Sequence, residues 1–184
     1  FIAVFLLRSF WKNSTENYYS EIMKNDLTEG RMAFEKQLDI MCAGAFSVSN
    51  DSDLKWVYFL DGLKDGDNNI AALIRCNDML RQTFADSEHY QNYSVIMKNE
   101  LIFRKSGMVV GDKFFYDNYC TYQNTDFETW RKQSFEADTW QLFPLEEIDT
   151  GEETLQAMTF SYPVRNYIQQ EQEANAVVQF LLSK

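Results

Sequence analysis

The sequence predicts an α+β fold, with a long N-terminal helix leading into a region that closes on an antiparallel sheet. Three observations carry this expectation. Apolar residues recur at spacings of three and four from Tyr19 to Ala45, and no proline falls between Phe1 and Ala45. Beyond Tyr90 the period changes to two, in short runs bounded by polar turns. The 184 residues are 45% hydrophobic and 16% aromatic, which is enough to bury a core and excludes wholesale disorder.

Tyr19, Met23, Leu27, Arg31, Phe34, Leu38, Met41 and Ala45 form one stripe with Arg31 as its only polar interruption. A continuous helix over the first 45 residues would reach about 67 Å at the usual rise. Asn13-Ser14-Thr15 or Gly30 are the places where it could break. A helix of this length pairs with a twin in a coiled coil or forms a stalk that projects beyond a domain. Residues 1–45 are therefore read as the helix and 46–184 as the domain that follows.

Asp51-Ser52-Asp53 supplies helix caps for a segment starting near Leu54. Asp61 to Asn69 reads as a turn, and Ile70 to Phe84 as a helix with apolar residues at helical spacing. Two short strands follow, Tyr93 to Met97 and Leu101 to Arg104, separated by the turn Lys98-Asn99-Glu100, and a third starts at Met108. A helix is expected from Asp126 through Trp130 to Ala137, ahead of an irregular Trp140 to Pro144. The chain closes on strands Leu155 to Val164 and Ala176 to Leu182, an antiparallel pair joined through Asn166 to Asn175, with Pro163 marking a strand end or an edge.

Charge and residue types narrow the function. With 28 acidic against 17 basic residues the net charge is −11, and no Lys/Arg cluster offers itself to phosphates, so a nucleic-acid-binding face is not expected. One histidine and three scattered cysteines cannot assemble a zinc site locally, and no cofactor is expected. Cys42, Cys76 and Cys120 read as buried small hydrophobes, although one disulfide among them is compatible with the spacing. Asp65-Gly66-Asp67-Asn68-Asn69-Ile70 has the start of a calcium loop. Its twelfth position is Cys76 rather than Glu, so it reads as a turn. His89 is the single imidazole and sits in a polar connector without a partner nearby in sequence. Glu146-Glu147 and Glu152-Glu153 read as solvated loop pairs, so no catalytic residues are expected and the chain does not read as an enzyme. Phe1 to Leu7 is an apolar run too short to cross a bilayer alone. With Trp11 and Tyr18-Tyr19 after it, it reads as the end of a transmembrane helix.

In element order and aromatic placement the chain resembles the extracellular Cache sensor domains of bacterial receptors, in particular those of membrane-anchored AraC-type regulators from Firmicutes. The residues that carry the resemblance are the helix Asn25-Asp26-Leu27 through Leu38-Asp39-Ile40-Met41 and the strand–turn–strand Tyr93 to Phe103. The aromatic helix Phe127 to Trp130, the turn Trp140 to Pro144 and the closing strands Met158 to Pro163 and Val177 to Leu181 complete it. The resemblance implies a PAS-like antiparallel sheet behind a long helix that leaves the membrane, a small-molecule pocket over the sheet, and a cytoplasmic output that regulates transcription. It also implies a cell-membrane location with the sensor on the extracellular side. Many amino-acid-binding relatives carry an Arg ahead of the aromatic pair; the corresponding stretch here, Phe127-Glu128-Thr129-Trp130-Arg131, has none.

Aromatic residues on the expected sheet and its covering segments, Tyr93, Tyr122, Trp130, Trp140 and Tyr162, are the candidate ligand-binding residues. Arg165, just past a strand end, is the candidate partner for an anionic ligand. The competing reading is a dimerisation module without a small ligand, in which the helix pairs with a second copy and the aromatic residues are core.

Overall fold

A computed structural model describes residues 2–58, 66–84, 92–165 and 174–183. The chain divides into two compact units, residues 1–40 and residues 41–184. Helix α1 (Ile2–Asn50) is continuous through Asn13-Ser14-Thr15 and Gly30 and enters the second unit with its last ten residues. The expected division between residues 45 and 46 falls inside it. In the first unit the apolar side chains of Met23, Leu27 and Met32 are exposed. In the second, Met41, Ala45 and Val48 are fully buried. The stripe read from the sequence thus changes its environment along the helix. Among the described residues no helix is long and apolar enough to cross a membrane.

The second unit is α+β. Asp51 Oδ1 accepts a hydrogen bond from Leu54 N (2.8 Å) and caps α2 (Ser52–Tyr58), satisfying one of the amides left open at the helix start. Helix α3 (Gly66–Phe84) starts earlier than the sequence suggested, because Gly66 to Asn69 are helical rather than a turn. The strands are β1 (Asn92–Met97), β2 (Leu101–Arg104), β3 (Gly107–Val110), β4 (Thr121–Tyr122), β5 (Gln141–Asp149), β6 (Thr154–Val164) and β7 (Ala176–Ser183). Helices α4 (Asp112–Tyr119) and α5 (Phe127–Glu136) lie between β3 and β5 in sequence. All seven strands form one antiparallel sheet in the order β3-β2-β1-β7-β6-β5-β4.

The register assigns every strand residue to a face. On one face Tyr93 and Phe180 meet Phe84 of α3, with ring centroids 4.7 and 5.2 Å away. Val95, Phe103, Phe160 and Val178 continue that face and are fully buried. On the other face Ile96, Ile102, Val177, Leu181, Ala157, Ile148 and Tyr122 pack in one core with Phe115, Tyr116, Trp130 and Phe135 of α4 and α5. Asp126 caps α5 by accepting from Thr129 N, and these hydrogen bonds hold its carboxyl below the usual range.

Three elements differ from expectation. Trp140 to Pro144 is not irregular: from Gln141 it is the first half of β5, and a shift of register between Phe143 and Glu146 takes up Pro144, which has no amide to donate. Helix α4 and the short β4 had no counterpart in the sequence reading. Glu146 is not a solvated loop residue; it is buried in β5, where its carboxylate accepts from Asn124 N (3.0 Å) and Thr125 Oγ1 (3.2 Å). None of the three cysteines is in a disulfide. His89, Asp61 to Asp65, and residues 166–173 of the last connector lie outside the described residues.

Candidate functional site

The paired registers place five polar residues side by side across the sheet. Arg104 on β2 faces Ser94 on β1, Ser94 faces Gln179 on β7, Gln179 faces Ser161 on β6, and Ser161 faces Gln141 on β5. The next rung on one side is apolar throughout, Ile102, Ile96, Val177 and Pro163. The row lies on the face covered by α4 and α5. Gln179, 2% exposed, donates from Nε2 to Ser134 Oγ of α5 (2.9 Å). Its Oε1, Ser161 Oγ and the Trp130 indole nitrogen are buried without a hydrogen-bond partner among the described residues. Buried polar atoms are normally paired, so three open valences on one face mark a place where polar chemistry is wanted.

Arg104 ends the row and is its only charge. It is 7% exposed, and its guanidinium carbon stands 3.9 Å above the centre of the Tyr119 ring at the end of α4. Stacking of this kind holds a guanidinium plane while leaving its edge free to donate. Nη2 lies 3.4 Å from Glu152 Oε1, and the Glu152 side chain is 73% exposed. Among the described residues this buried cation therefore faces a single solvated carboxylate at long range.

Beside Arg104 is a cavity of about 20 Å³, lined by Asn92, Ser94, Arg104, Phe115, Tyr119, Gln179 and Leu181 and also by Tyr93, one of the candidate residues read from sequence. It has room for one water-sized body. Cys120 also borders it, but burial pushes its thiol up to about 12, so at neutral pH it is a protonated thiol and a poor nucleophile. A larger recess of about 350 Å³ runs along α5 between Glu128, Thr129, Arg131, Lys132 and Glu136. Its lining residues are all polar or charged, with no aliphatic or aromatic side chain among them. Among the described residues no group of His, Cys, Asp or Glu side chains is arranged to hold a metal ion.

Glu152 stands on a turn of fixed shape. The Thr150 amide and hydroxyl both donate to Glu153 O (3.0 and 2.9 Å), and Glu153 N donates back to Thr150 Oγ1 (3.2 Å). Gly151 N donates to Asp149 Oδ1 (2.8 Å). Gly151 has φ +77°, and a Cβ placed there would overlap the carbonyl oxygen of Asn118 in the last turn of α4. The turn between β5 and β6 is thus seated directly on the end of the helix that carries Tyr119.

The six candidate residues read from sequence are distributed over both faces. Tyr122 and Trp130 lie under α4 and α5, with the Tyr122 hydroxyl 2.8 Å from Thr159 Oγ1 and burial raising its pKa. Tyr93 and Tyr162 alternate onto the opposite face. Trp140 is 42% exposed and stacks on Phe160 at 5.6 Å. Arg165 sits past the end of β6, where Nη2 donates to Ala137 O (2.5 Å) and approaches Asp138 (3.4 Å). The structure brings Tyr122 and Trp130 into one cluster and does not bring the other four to it. Arg131, in the stretch that lacks the relatives' Arg, is half-buried and joins Asp112 at 2.5 Å.

Sequence reasoning passed over Arg104, Ser94 and Gln179. Their signal was present. In Leu101-Ile102-Phe103-Arg104 and Val177-Val178-Gln179-Phe180-Leu181, one polar residue interrupts a run too apolar for a half-solvated strand. Compared with protein-family models and with curated proteins, the chain matches none.

Proposed function

We propose that this chain is a non-enzymatic, extracytoplasmic sensing domain of PAS-like, Cache type, part of a transmembrane signalling protein that regulates transcription. Its site binds a small molecule through a polar or anionic group placed against Arg104. The observation that supports the reading is a buried arginine at the end of a polar row, on the helix-covered face of an antiparallel sheet, next to a small cavity. A charge removed from water is costly unless it is paired and hydrogen-bonded. Among the described residues the ion pair of Arg104 is one long contact to an exposed carboxylate, which leaves guanidinium donors to serve a ligand.

The cavity is far smaller than the several hundred Å³ that encloses a typical ligand, so binding has to open it. The parts that border it are strands β1, β2 and β7, helix α4 and Cys120 just past its end. A ligand acts by favouring the opened arrangement over the closed one, since only a difference in affinity between two arrangements shifts their populations. That movement is the signal.

The test is a thermal-shift screen of the chain against organic acids, amino acids, sugars, nucleobases and short peptides. A ligand at a hundred times its dissociation constant stabilises the fold by about 2.7 kcal/mol, which such a screen detects. Stabilisation by one chemical class that is lost in Arg104→Lys is expected. A cooperatively melting protein that no compound stabilises would refute the reading.

A further inference from the structure

We infer that Glu152 is an internal stand-in for the carboxylate of the ligand: its side chain occupies the outer edge of Arg104 and is displaced when the ligand's carboxylate arrives. The inference rests on the sensing function proposed above and adds the ligand's head group and the residue that competes with it.

Three observations carry it. Glu152 reaches Arg104 from the solvent side, 73% exposed while its partner is 8% exposed, so the carboxylate can leave for water without disturbing the core. The turn beneath it is closed by hydrogen bonds from Thr150, Glu153 and Gly151 and seated on Asn118, so the moving part is the side chain rather than the loop. The contact is a single one of 3.4 Å at Nη2, short of the paired, parallel bonds that a carboxylate and a guanidinium prefer. An incoming carboxylate can make the better contact and lies beside the Asn92 amide and the Ser94 hydroxyl, groups of the type that donate to it. The cavity lining holds one cation among uncharged amide, hydroxyl, thiol, aromatic and aliphatic side chains, in a chain of net charge −11. That balance suits a monocarboxylate better than a phosphate or a multiply charged acid.

The experiment is calorimetric titration of the chain with acetate, propionate, lactate and pyruvate, with succinate and inorganic phosphate for comparison. It uses the unaltered protein, Glu152→Gln and Glu153→Gln. The second variant removes the same charge from the neighbouring position, which has no contact with Arg104 in the structure. A stand-in that competes for Arg104 predicts tighter binding of a monocarboxylate to Glu152→Gln by roughly fivefold, the size of a partly solvated ion pair. Glu153→Gln should bind like the unaltered chain. Equal tightening in both variants, or none in Glu152→Gln, with a monocarboxylate bound by all three, would overturn the stand-in and leave the sensing function standing. Phosphate or succinate binding more tightly than the monocarboxylates would overturn the assignment of the head group. If Glu152→Gln and the unaltered chain both melt cooperatively and neither binds any of these compounds, the stand-in fails. A hit elsewhere in the wider thermal-shift screen would then preserve the sensor, and silence there would remove it as well.

Discussion

Arg104 and Gln179 do their work because of where they fall in the alternation of a strand. Both are buried in strands whose other residues there are mostly apolar, and Gln179 Oε1 has no hydrogen-bond partner among the described residues. The thiols show the opposite case, polar atoms made inert by burial. Both Cys76 and Cys120 are pushed up to about 12 by loss of water around the charged form. In the folded chain at pH 8 these two should react with a disulfide reagent far more slowly than an unfolded control, and denaturant should release them. Cys42, half-buried on α1, should be the fastest of the three. Mass mapping of the modified sites checks the order; rapid labelling of Cys120 in the folded state would show that the cavity beside it is open rather than closed.

The elements divide into those whose sequence speaks for itself and those that depend on distant partners. Helix α3, the first three strands, α5 and the closing pair were all readable, because their apolar period matches the surface they bury. Helix α4 was not. Asp112 to Tyr119 is short and aromatic, and the Phe114-Phe115-Tyr116 run looks as much like a strand as a helix until Phe115 and Tyr116 find Trp130. The start of β5 was hidden by Pro144, which is accommodated only because the register slips past it. The candidate site suffered from the same limit. Aromatic residues drew notice by their size, yet most of them are core, whereas the register that aligns Arg104, Ser94, Gln179 and Ser161 exists only once the strands are paired. The turn at Gly151 joins two of these elements and is sensitive for that reason. Gly151→Ala forces a side chain into a positive-φ position and against the Asn118 carbonyl, and should lower stability by about 1–3 kcal/mol from the backbone alone, measured as a fall in the urea midpoint. An unchanged midpoint would mean that the turn is not seated on α4 as described.

For the molecule as a whole, the sheet separates two tasks. One face is a continuous apolar core with the end of α1 and with α3, in which Met41, Ala45, Phe84 and Phe180 are buried. The other carries the polar row, the small cavity and the Glu152 turn under α4. Under the proposed sensing role, the apolar face would hold the fold while the face under α4 opens, so that binding shifts the conformation without unfolding the domain. The most direct check is an amide and arginine side-chain NMR titration of the labelled chain with propionate and lactate. If the account is right, the Arg104 Nε–H signal moves first, together with amides of β1, β2, β7, the end of α4 and the turn from Thr150 to Glu153, while α3 and the Phe84 surroundings stay in place. Saturable shifts confined to the α3 side of the sheet, or no saturable shift with any compound that stabilises the protein, would contradict it.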